Sequence, residues 1–156
     1  MAIRSAAKAL IVRGGRVLLN RCVAGDQVYY DLPGGGQRMF ETLEQAVIRE
    51  VAEETGYRVA IVRFAGLLEE ICDSPAFRAR FSDYAHRILH VFLAEVVGEG
   101  GAPSELDYQQ RGSEWVPIVD ADSLPMRPAP LQGRIARLVL GPSPQYLGTV
   151  RVYVDD

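Results

Sequence analysis

Residues 35–57 read GGQRMFETLEQAVIREVAEETGY, and this stretch decides how the chain folds and what it can bind. Each residue turns an α-helix by about 100°, so Glu50, Glu53 and Glu54 share about 100° of arc on one helix face. Like charges three or four positions apart repel each other by a few tenths of a kcal/mol per pair. Divalent cations such as Mg²⁺ bind carboxylate oxygens. The crowding therefore indicates either a metal site or a solvated acidic face.

The residues around the acids predict a helix over residues 42–55. Thr42 and Gln45 match a capping box, and Gly56 is typical of a helix end. An apolar stripe borders the acidic arc, and its members are Leu43, Ala46, Val47 and Val51. Because the acids lie beside the buried face and not opposite it, we expect them to be partly screened from water. This placement favours the metal site over the solvated face.

A glycine-rich segment, LPGGG at residues 32–36, lies upstream of the predicted helix. Glycine lets bare backbone approach a ligand closely, although such a segment can equally be a plain turn.

The whole stretch resembles the signature of the Nudix hydrolases, G-x5-E-x7-R-E-U-x-E-E-x-G-U, in which U is a bulky aliphatic residue. The matching positions are Gly35, Glu41, Arg49, Glu50, Val51, Glu53, Glu54 and Gly56. Tyr57 departs from the pattern at the last aliphatic position, which serves packing. The resemblance implies an α/β (α+β) fold, namely an α/β/α sandwich with a mixed β-sheet, in a single domain over residues 1–156.

The resemblance also implies roles for residues 35–57, which form the Nudix box. The ligands of Mg²⁺ or Mn²⁺ would be Glu50, Glu53, Glu54 and the main-chain carbonyl of Gly34. Glu41 and Arg49 would support these ligands, with Arg49 orienting Glu50. Water would attack one phosphorus of a nucleoside diphosphate linked to another group, while the metal neutralises charge on the phosphate oxygens.

The general base is left open, because the family supplies it from different places. Glu50 is favoured, since its neighbour Arg49 provides an orienting partner. The alternative is an acid on a downstream loop, with Asp107 and Glu105 first because they shortly precede residues 115–117. The remaining downstream acids are Glu95, Glu99 and Glu114. Any of these loop acids could also be a solvated surface charge.

Other side chains could contact the substrate. The arginines in or beside the segment 73–84 could meet phosphates or be ordinary surface residues, and they are Arg78, Arg80 and Arg87. His86 and His90 share one strand face, where a substrate contact or a base is possible and a zinc site is not expected. Aromatic residues that could stack on a base or pack in the core are Tyr29, Tyr30, Phe40, Phe77, Phe81 and Tyr84.

Composition bounds the partners. The chain has 156 residues, 48% of them hydrophobic, a formal charge of −3 and a pI near 5.4. These values predict one soluble domain without the basic surface that nucleic-acid binding uses. No run of 18 apolar residues suggests a membrane span, and the first residues lack a signal-peptide core, so a cytoplasmic protein is expected. Cys22 and Cys72 are expected to be reduced core residues.

The remaining pattern predicts further elements. Apolar runs at 6–12 and 16–20 form a hairpin, and 28–32, 57–71, 86–97 and 114–119 are strands. Residues 73–84 are expected to form a flexible loop, and 131–140 a second helix with Leu131, Ile135, Leu138 and Val139 on its apolar side. Residues 145–154 alternate as a strand that the family core does not require, so this strand either caps the sheet or joins a homodimer.

Two functions are compatible with this sequence. The first is a metal-dependent pyrophosphohydrolase that acts on a small nucleotide. The second is a non-catalytic Nudix module that binds a nucleotide and regulates a partner. The complete set of box acids favours the enzyme. No residue pattern indicates which nucleoside or which linked group the protein prefers.

Overall fold

A computed structural model describes residues 2–154, and within them the chain forms eight strands and four helices. The strands are β1 (Arg4–Arg13), β2 (Arg16–Ala24), β3 (Gln27–Asp31), β4 (Gly34–Gly36), β5 (Tyr57–Cys72), β6 (His86–Glu99), β7 (Gln110–Pro117) and β8 (Gln145–Val152). The helices are α1 (Leu43–Thr55), α2 (Pro75–Arg80), α3 (Ile118–Ala121) and α4 (Ile135–Leu140), with 3₁₀ turns at Ser82–Tyr84 and Ala129–Leu131.

The strands form a mixed sheet in the order β3-β2-β1-β6-β5-β8. β1 and β6 pair in parallel, as do β5 and β8, while the other pairs are antiparallel. β4 pairs with β1, and β7 pairs with β2, outside that main order. The predicted mixed sheet is confirmed.

Helices cover both faces of the sheet. On one face α1 packs against β1 in a core that includes Ala7, Ala9, Ile11, Ala46, Val47 and Val51. On the other face α3 and α4 pack in a core that includes Leu10, Leu68, Leu89, Ile118, Ile135 and Leu138. Successive residues of a strand point to opposite faces, so β1 contributes to both cores. The predicted α/β/α sandwich is therefore confirmed.

Two predicted elements are wrong in detail. Residues 73–84 contain α2 and a 3₁₀ turn, because the Ser74 side chain caps α2 and Pro75 fits its first position. The predicted helix over 131–140 is shorter, since Gly133, with φ at +75°, separates α4 from the 3₁₀ turn before it. The apolar residues predicted for it still pack in the core, and they are Leu131, Ile135, Leu138 and Val139.

The tail strand β8 pairs with β5 at the edge of the sheet. The tail thus extends the sheet of its own chain, and the homodimer stays a prediction. Cys22 and Cys72 are buried and form no disulfide, as predicted. Within residues 2–154, none of the helices has the length and apolar character needed to cross a membrane.

Candidate active site

Helix α1 presents the acidic residues because both of its ends are set by local sequence. The Thr42 side chain accepts a hydrogen bond from the Gln45 amide at 3.1 Å, and the Gln45 side chain accepts from the Thr42 amide at 2.9 Å. Gly56 ends the helix in the left-handed region, at φ 76°. The last turn carries acids and no basic residue. Negative charge at a helix C-terminus opposes the helix dipole, which adds to the mutual repulsion of the acids.

Arg49 lies at the centre of an ion-pair network at the rim of the site. Its guanidinium contacts Glu41 at 2.7 Å, Glu50 at 2.8 Å and Glu53 at 3.4 Å, and it donates to the Gly36 carbonyl at 3.1 Å. The hydrogen bonds from Arg49 lower the pKa of Glu41 to about 2. The same contacts raise the pKa of Arg49 above its ordinary value. Glu41 and Arg49 therefore form a charged pair at neutral pH.

Glu54 is in a different environment, with a relative exposure of 2%. Its Oε2 accepts hydrogen bonds from the Asn20 side chain at 2.9 Å and from the Gly34 amide at 3.0 Å. Its Oε1 is buried and has no hydrogen-bond partner in the described residues. Burial raises the pKa of Glu54 to about 9, assisted by the negative charge of Asp107. Burial therefore favours the neutral form of this carboxyl when no metal is bound.

The glycine segment brings backbone against these acids. A Cβ at Gly35 would lie 2.6 Å from Cδ of Glu50, and a Cβ at Gly34 would lie 2.7 Å from Cα of Lys8. Gly34 also has φ of +142°, which side chains other than glycine rarely adopt. Close approach to other parts of the site, and not a plain turn, thus accounts for two of these glycines. Residues Gly34–Gly36 form the short strand β4.

A buried lysine beside Glu54 was not expected from the sequence. Lys8 Nζ donates to the carbonyls of Leu32 at 3.2 Å and Gly34 at 3.3 Å, and it lies 3.4 Å from Asp31. Burial lowers the pKa of Lys8, but the charges of Asp31 and neighbouring acids outweigh it and raise the pKa overall. Lys8 therefore stays charged and fixes the Gly34 carbonyl.

The two loop acids proposed as alternative bases lie near the C-terminal end of α1. The amides of Ser104 and Glu105 both donate to the Glu53 carbonyl at 2.9 Å. Asp107 is exposed, and its charge is close enough to raise the pKa of Glu54. The remaining candidates are exposed residues on strands, and they are Glu95, Glu99 and Glu114.

The proposed phosphate-binding arginines all have contacts within the protein. Arg78 binds the Cys72 carbonyl and the Asp73 carboxylate, and Arg80 lies 5.1 Å from the ring of Phe81. Arg87 is ion-paired with Glu70. Arg78 also lines a cavity of about 570 Å³ beside α2. The structure does not bring Arg78 and Arg80 into the contacts of the acidic cluster.

The two histidines and most of the aromatic residues serve local packing or hydrogen bonding. His90 Nδ1 lies 3.0 Å from the Ala6 carbonyl, and His86 Nε2 lies 3.7 Å from Glu69. The other contacts are a hydrogen bond from Tyr29 to Gln109, one from Tyr30 to Glu114, ring packing of Phe77 on Phe81, and Arg4 over Tyr84. Phe40 differs from these, since it is 99% exposed.

The chain is similar in sequence to a known family and to known proteins. The family model described as NUDIX domain matches residues 2–138. The chain belongs to the NUDIX domain family. It is 31% identical over 106 residues to a putative mutator protein MutT4 of Mycobacterium tuberculosis, covering 68% of this chain and 40% of that protein. It is 30% identical over 128 residues to an NAD-capped RNA hydrolase NudC of Pseudomonas aeruginosa, covering 82% of this chain and 39% of that protein.

Solved structures show the same NUDIX fold. The crystal structure of a MutT protein from Bacillus halodurans superposes with a TM-score of 0.74 at 20% identity, covering 97% of this chain and 91% of that one. At this identity the likeness concerns the fold alone. The chain spans about two fifths of the length of the two curated relatives named above.

The donor set of this NUDIX domain fits a hard divalent cation. Glu50, Glu53 and Glu54 supply carboxylate oxygens, and Glu54 Oε1 is buried without a partner. Mg²⁺ and Mn²⁺ prefer oxygen ligands of this kind. Within residues 2–154, no three acidic, histidine or cysteine side chains are placed so that they could hold one metal ion without moving. Arg49 instead binds Glu50 and Glu53, and Glu54 points toward Asn20.

Proposed function

We propose that the protein is a divalent-metal-dependent hydrolase that cleaves the diphosphate bond of a nucleotide linked to another group. The observation that carries the proposal is the arrangement on α1. Glu54, a buried carboxyl group with an unpartnered oxygen, lies beside Glu50 and Glu53, which are both bound by Arg49. A group of acids in this arrangement gains more from a cation than from solvent, because repulsion and burial both oppose its charge. The family membership supports the same reading.

The box residues would divide the work. Glu50, Glu53 and Glu54 would hold Mg²⁺ or Mn²⁺, together with the carbonyl of Gly34. When bound, the metal supplies charge neutralisation at the phosphate oxygens and at the leaving group. Arg49 positions Glu50 and Glu53 through its two shortest contacts with them, 2.8 and 3.4 Å.

Arg49 itself is positioned by other groups. Glu41 holds its guanidinium through contacts at 2.7 and 3.0 Å, and the Gly36 carbonyl holds it at 3.1 Å. Such supporting contacts give metal ligands a fixed geometry.

Glu50 is proposed as the general base. Arg49 binds its Oε1, whereas its Oε2 makes no hydrogen bond with any described residue. A free oxygen on an oriented carboxyl group is placed to accept a proton from an attacking water. Asp107 is the alternative, since it lies close enough to Glu54 to affect its pKa.

The proposal is tested by a phosphate-release screen with and without Mg²⁺ or Mn²⁺. The panel contains nucleoside triphosphates, dinucleotides such as NAD, and nucleotide sugars, with a coupled phosphatase where the products need it. We expect metal-dependent turnover of at least one compound. Binding of a nucleotide without turnover of any panel member would instead support the non-catalytic module.

The base assignment has its own test. Glu50→Gln should abolish turnover and weaken Mg²⁺ binding, whereas Asp107→Asn should retain most of both. Turnover and Mg²⁺ affinity are measured for both variants at saturating substrate. If Asp107→Asn abolishes turnover while Glu50→Gln keeps more than about a tenth of it, the base lies on the loop.

A further inference from the structure

Arg4, at the start of β1, has an arrangement that the fold does not explain. Its side chain is half-buried, and within residues 2–154 it makes no ion pair and no hydrogen bond. The guanidinium stacks 4.5 Å from the centre of the Tyr84 ring. The guanidinium also lies against Gly36, where a Cβ would overlap it. Because the guanidinium donates no hydrogen bond within residues 2–154, its donors can still bind an anion.

A second arginine lies next to Arg4. The parallel register of β1 and β6 pairs Arg4 with Arg87, so the two side chains leave the sheet on the same face. Arg87 is ion-paired with Glu70, but Arg4 has no such partner. Adjacent like charges destabilise a sheet unless a counter-ion lies near them. The pair thus has one carboxylate for two guanidinium groups and can accept a further anion.

The position of Arg4 relative to the acidic cluster links it to the reaction. Arg49 donates to the Gly36 carbonyl at 3.1 Å, and the same Arg49 contacts Glu50 at 2.8 Å. Arg4 packs against that same glycine. One residue thus separates the unpaired guanidinium from the group that orients the proposed base. A diphosphate held at Glu50 would bring additional phosphate oxygens to this side of the site.

We propose that Arg4 is a phosphate-binding residue of this protein, which takes a phosphoryl group of the nucleotide substrate beside the metal site. Arg87 contributes the neighbouring positive charge, and Tyr84 keeps the guanidinium of Arg4 in place. Guanidinium groups bind phosphate through two parallel hydrogen bonds, which fixes the orientation of the phosphate as well as its position. The inference rests on the proposed function for the identity of its ligand, and on the contacts of Arg4 for its location.

The test uses ADP as the probe, in buffer with EDTA and low salt, so that binding is measured apart from metal and turnover. Calorimetry compares the wild type with Arg4→Gln, Arg4→Lys and the control Arg16→Gln. Arg16 is an exposed arginine in the β1–β2 hairpin, and its substitution removes the same charge elsewhere. We expect Arg4→Gln to raise the Kd for ADP about tenfold or more, as for loss of a charge-assisted hydrogen bond. Arg4→Lys should restore part of the affinity, and Arg16→Gln should bind as the wild type does.

A second measurement separates this inference from the hydrolase proposal. On the substrate found in the screen, Arg4→Gln should raise KM with a smaller effect on kcat, because the contact exists before the chemical step. Arg4-dependent ADP binding in a protein that hydrolyses nothing would uphold the phosphate site and refute the hydrolase. Equal ADP affinity and equal KM in wild type and Arg4→Gln would overturn the inference and leave the hydrolase intact. No ADP binding by the wild type at millimolar concentration would also overturn it.

Discussion

On the rim of the acidic cluster, Arg49 contacts Glu41, Glu50 and Glu53, whereas Glu54, one helical turn beyond Glu50, is buried with no ion-pair partner in the described residues. The pKa of Glu41 is held near 2 by Arg49, and that of Glu54 is raised to about 9 by burial. Glu41 and Glu54 therefore differ in pKa because their surroundings differ, although both are glutamates. A divalent cation would meet Glu50 and Glu53 on the rim and, beneath them, Glu54, whose burial favours the neutral form of its carboxyl.

The largest effect on turnover is expected when a proposed metal ligand is replaced, either on the rim or at the buried Glu54. Glu53→Gln and Glu54→Gln should each lower kcat by about two orders of magnitude or more, since each removes a carboxylate from the proposed metal site. Glu44→Gln is the matched control, because Glu44 is an exposed acid in the first turn of the same helix. Folding is checked by circular dichroism. Near wild-type turnover in both folded variants would falsify the role of these residues.

The pH dependence of stability tests the raised pKa of the buried residue Glu54. The pKa of Glu54 is raised on folding from an ordinary 4.5 to about 9, so the folded state binds more protons than the unfolded state between these values. Without metal, the free energy of unfolding should therefore fall as pH rises from about 5 to 9, by on the order of a few kcal/mol. Burial also raises the pKa of Asp31, which acts in the same direction. The Glu41 contribution is complete above pH 4.5 and adds no slope in this range.

Urea unfolding in EDTA at pH 5, 7 and 9 measures this slope. Glu54→Gln should flatten it, while Glu44→Gln should leave it unchanged. Parallel curves for wild type and Glu54→Gln would show that Glu54 does not titrate with a raised pKa.

The stability of the rim should depend on the guanidinium group of Arg49 and not only on its positive charge. Arg49→Lys keeps the charge but loses the two-pronged contact with Glu41, and we expect a loss of about 1–2 kcal/mol of stability without metal. Arg38→Lys is the control, since Arg38 lies 4.0 Å from Glu53 with its side chain 67% exposed. Its effect should stay within about 0.5 kcal/mol. Equal unfolding curves for the two variants would mean that the Arg49 network adds no stability.

The smallest effect on stability is expected at Phe40, in the segment that places Glu41 beside Arg49. Phe40, the residue before Glu41, is the one non-glycine residue with positive φ in the described chain, at 67°. Because its side chain is 99% exposed, little packing offsets this strain. Phe40→Gly should therefore raise stability by about 1 kcal/mol or less, whereas Phe40→Ala and Met39→Ala should not. A drop in melting temperature for Phe40→Gly would contradict this reading.

Local sequence was sufficient to predict α1 and its acids. The capping pair, the apolar stripe and Gly56 all lie within 15 residues of one another, so the helix needs no distant contact to be recognised. Ser74 and Pro75 form a similar local signal for α2, but the polar composition of 73–84 concealed it. The interruption at Gly133 was equally local and was also missed.

The partners of the acids could not be predicted in the same way. Asn20 reaches Glu54 across 34 residues, and Lys8 reaches Gly34 across 26. Such contacts depend on strand register, which sequence periodicity specifies only as one face or the other. The sequence signal for a buried lysine was the position of Lys8 within the otherwise apolar run 6–12. Arg4 meets Arg87 through a parallel pairing of distant strands, so the sequence pointed to Arg87 and not to Arg4.

The most direct test of the metal site counts protons when the cation binds. Titration calorimetry of Mg²⁺ or Mn²⁺ at pH 7, in two buffers with different ionisation enthalpies, gives the number released. The wild type should release about one proton per ion bound, because Glu54 must ionise to become a ligand. Glu54→Gln should release almost none. Failure of the wild type to bind millimolar ion, or binding without proton release, would contradict the assignment of Glu54 as a ligand that stays neutral until the cation arrives.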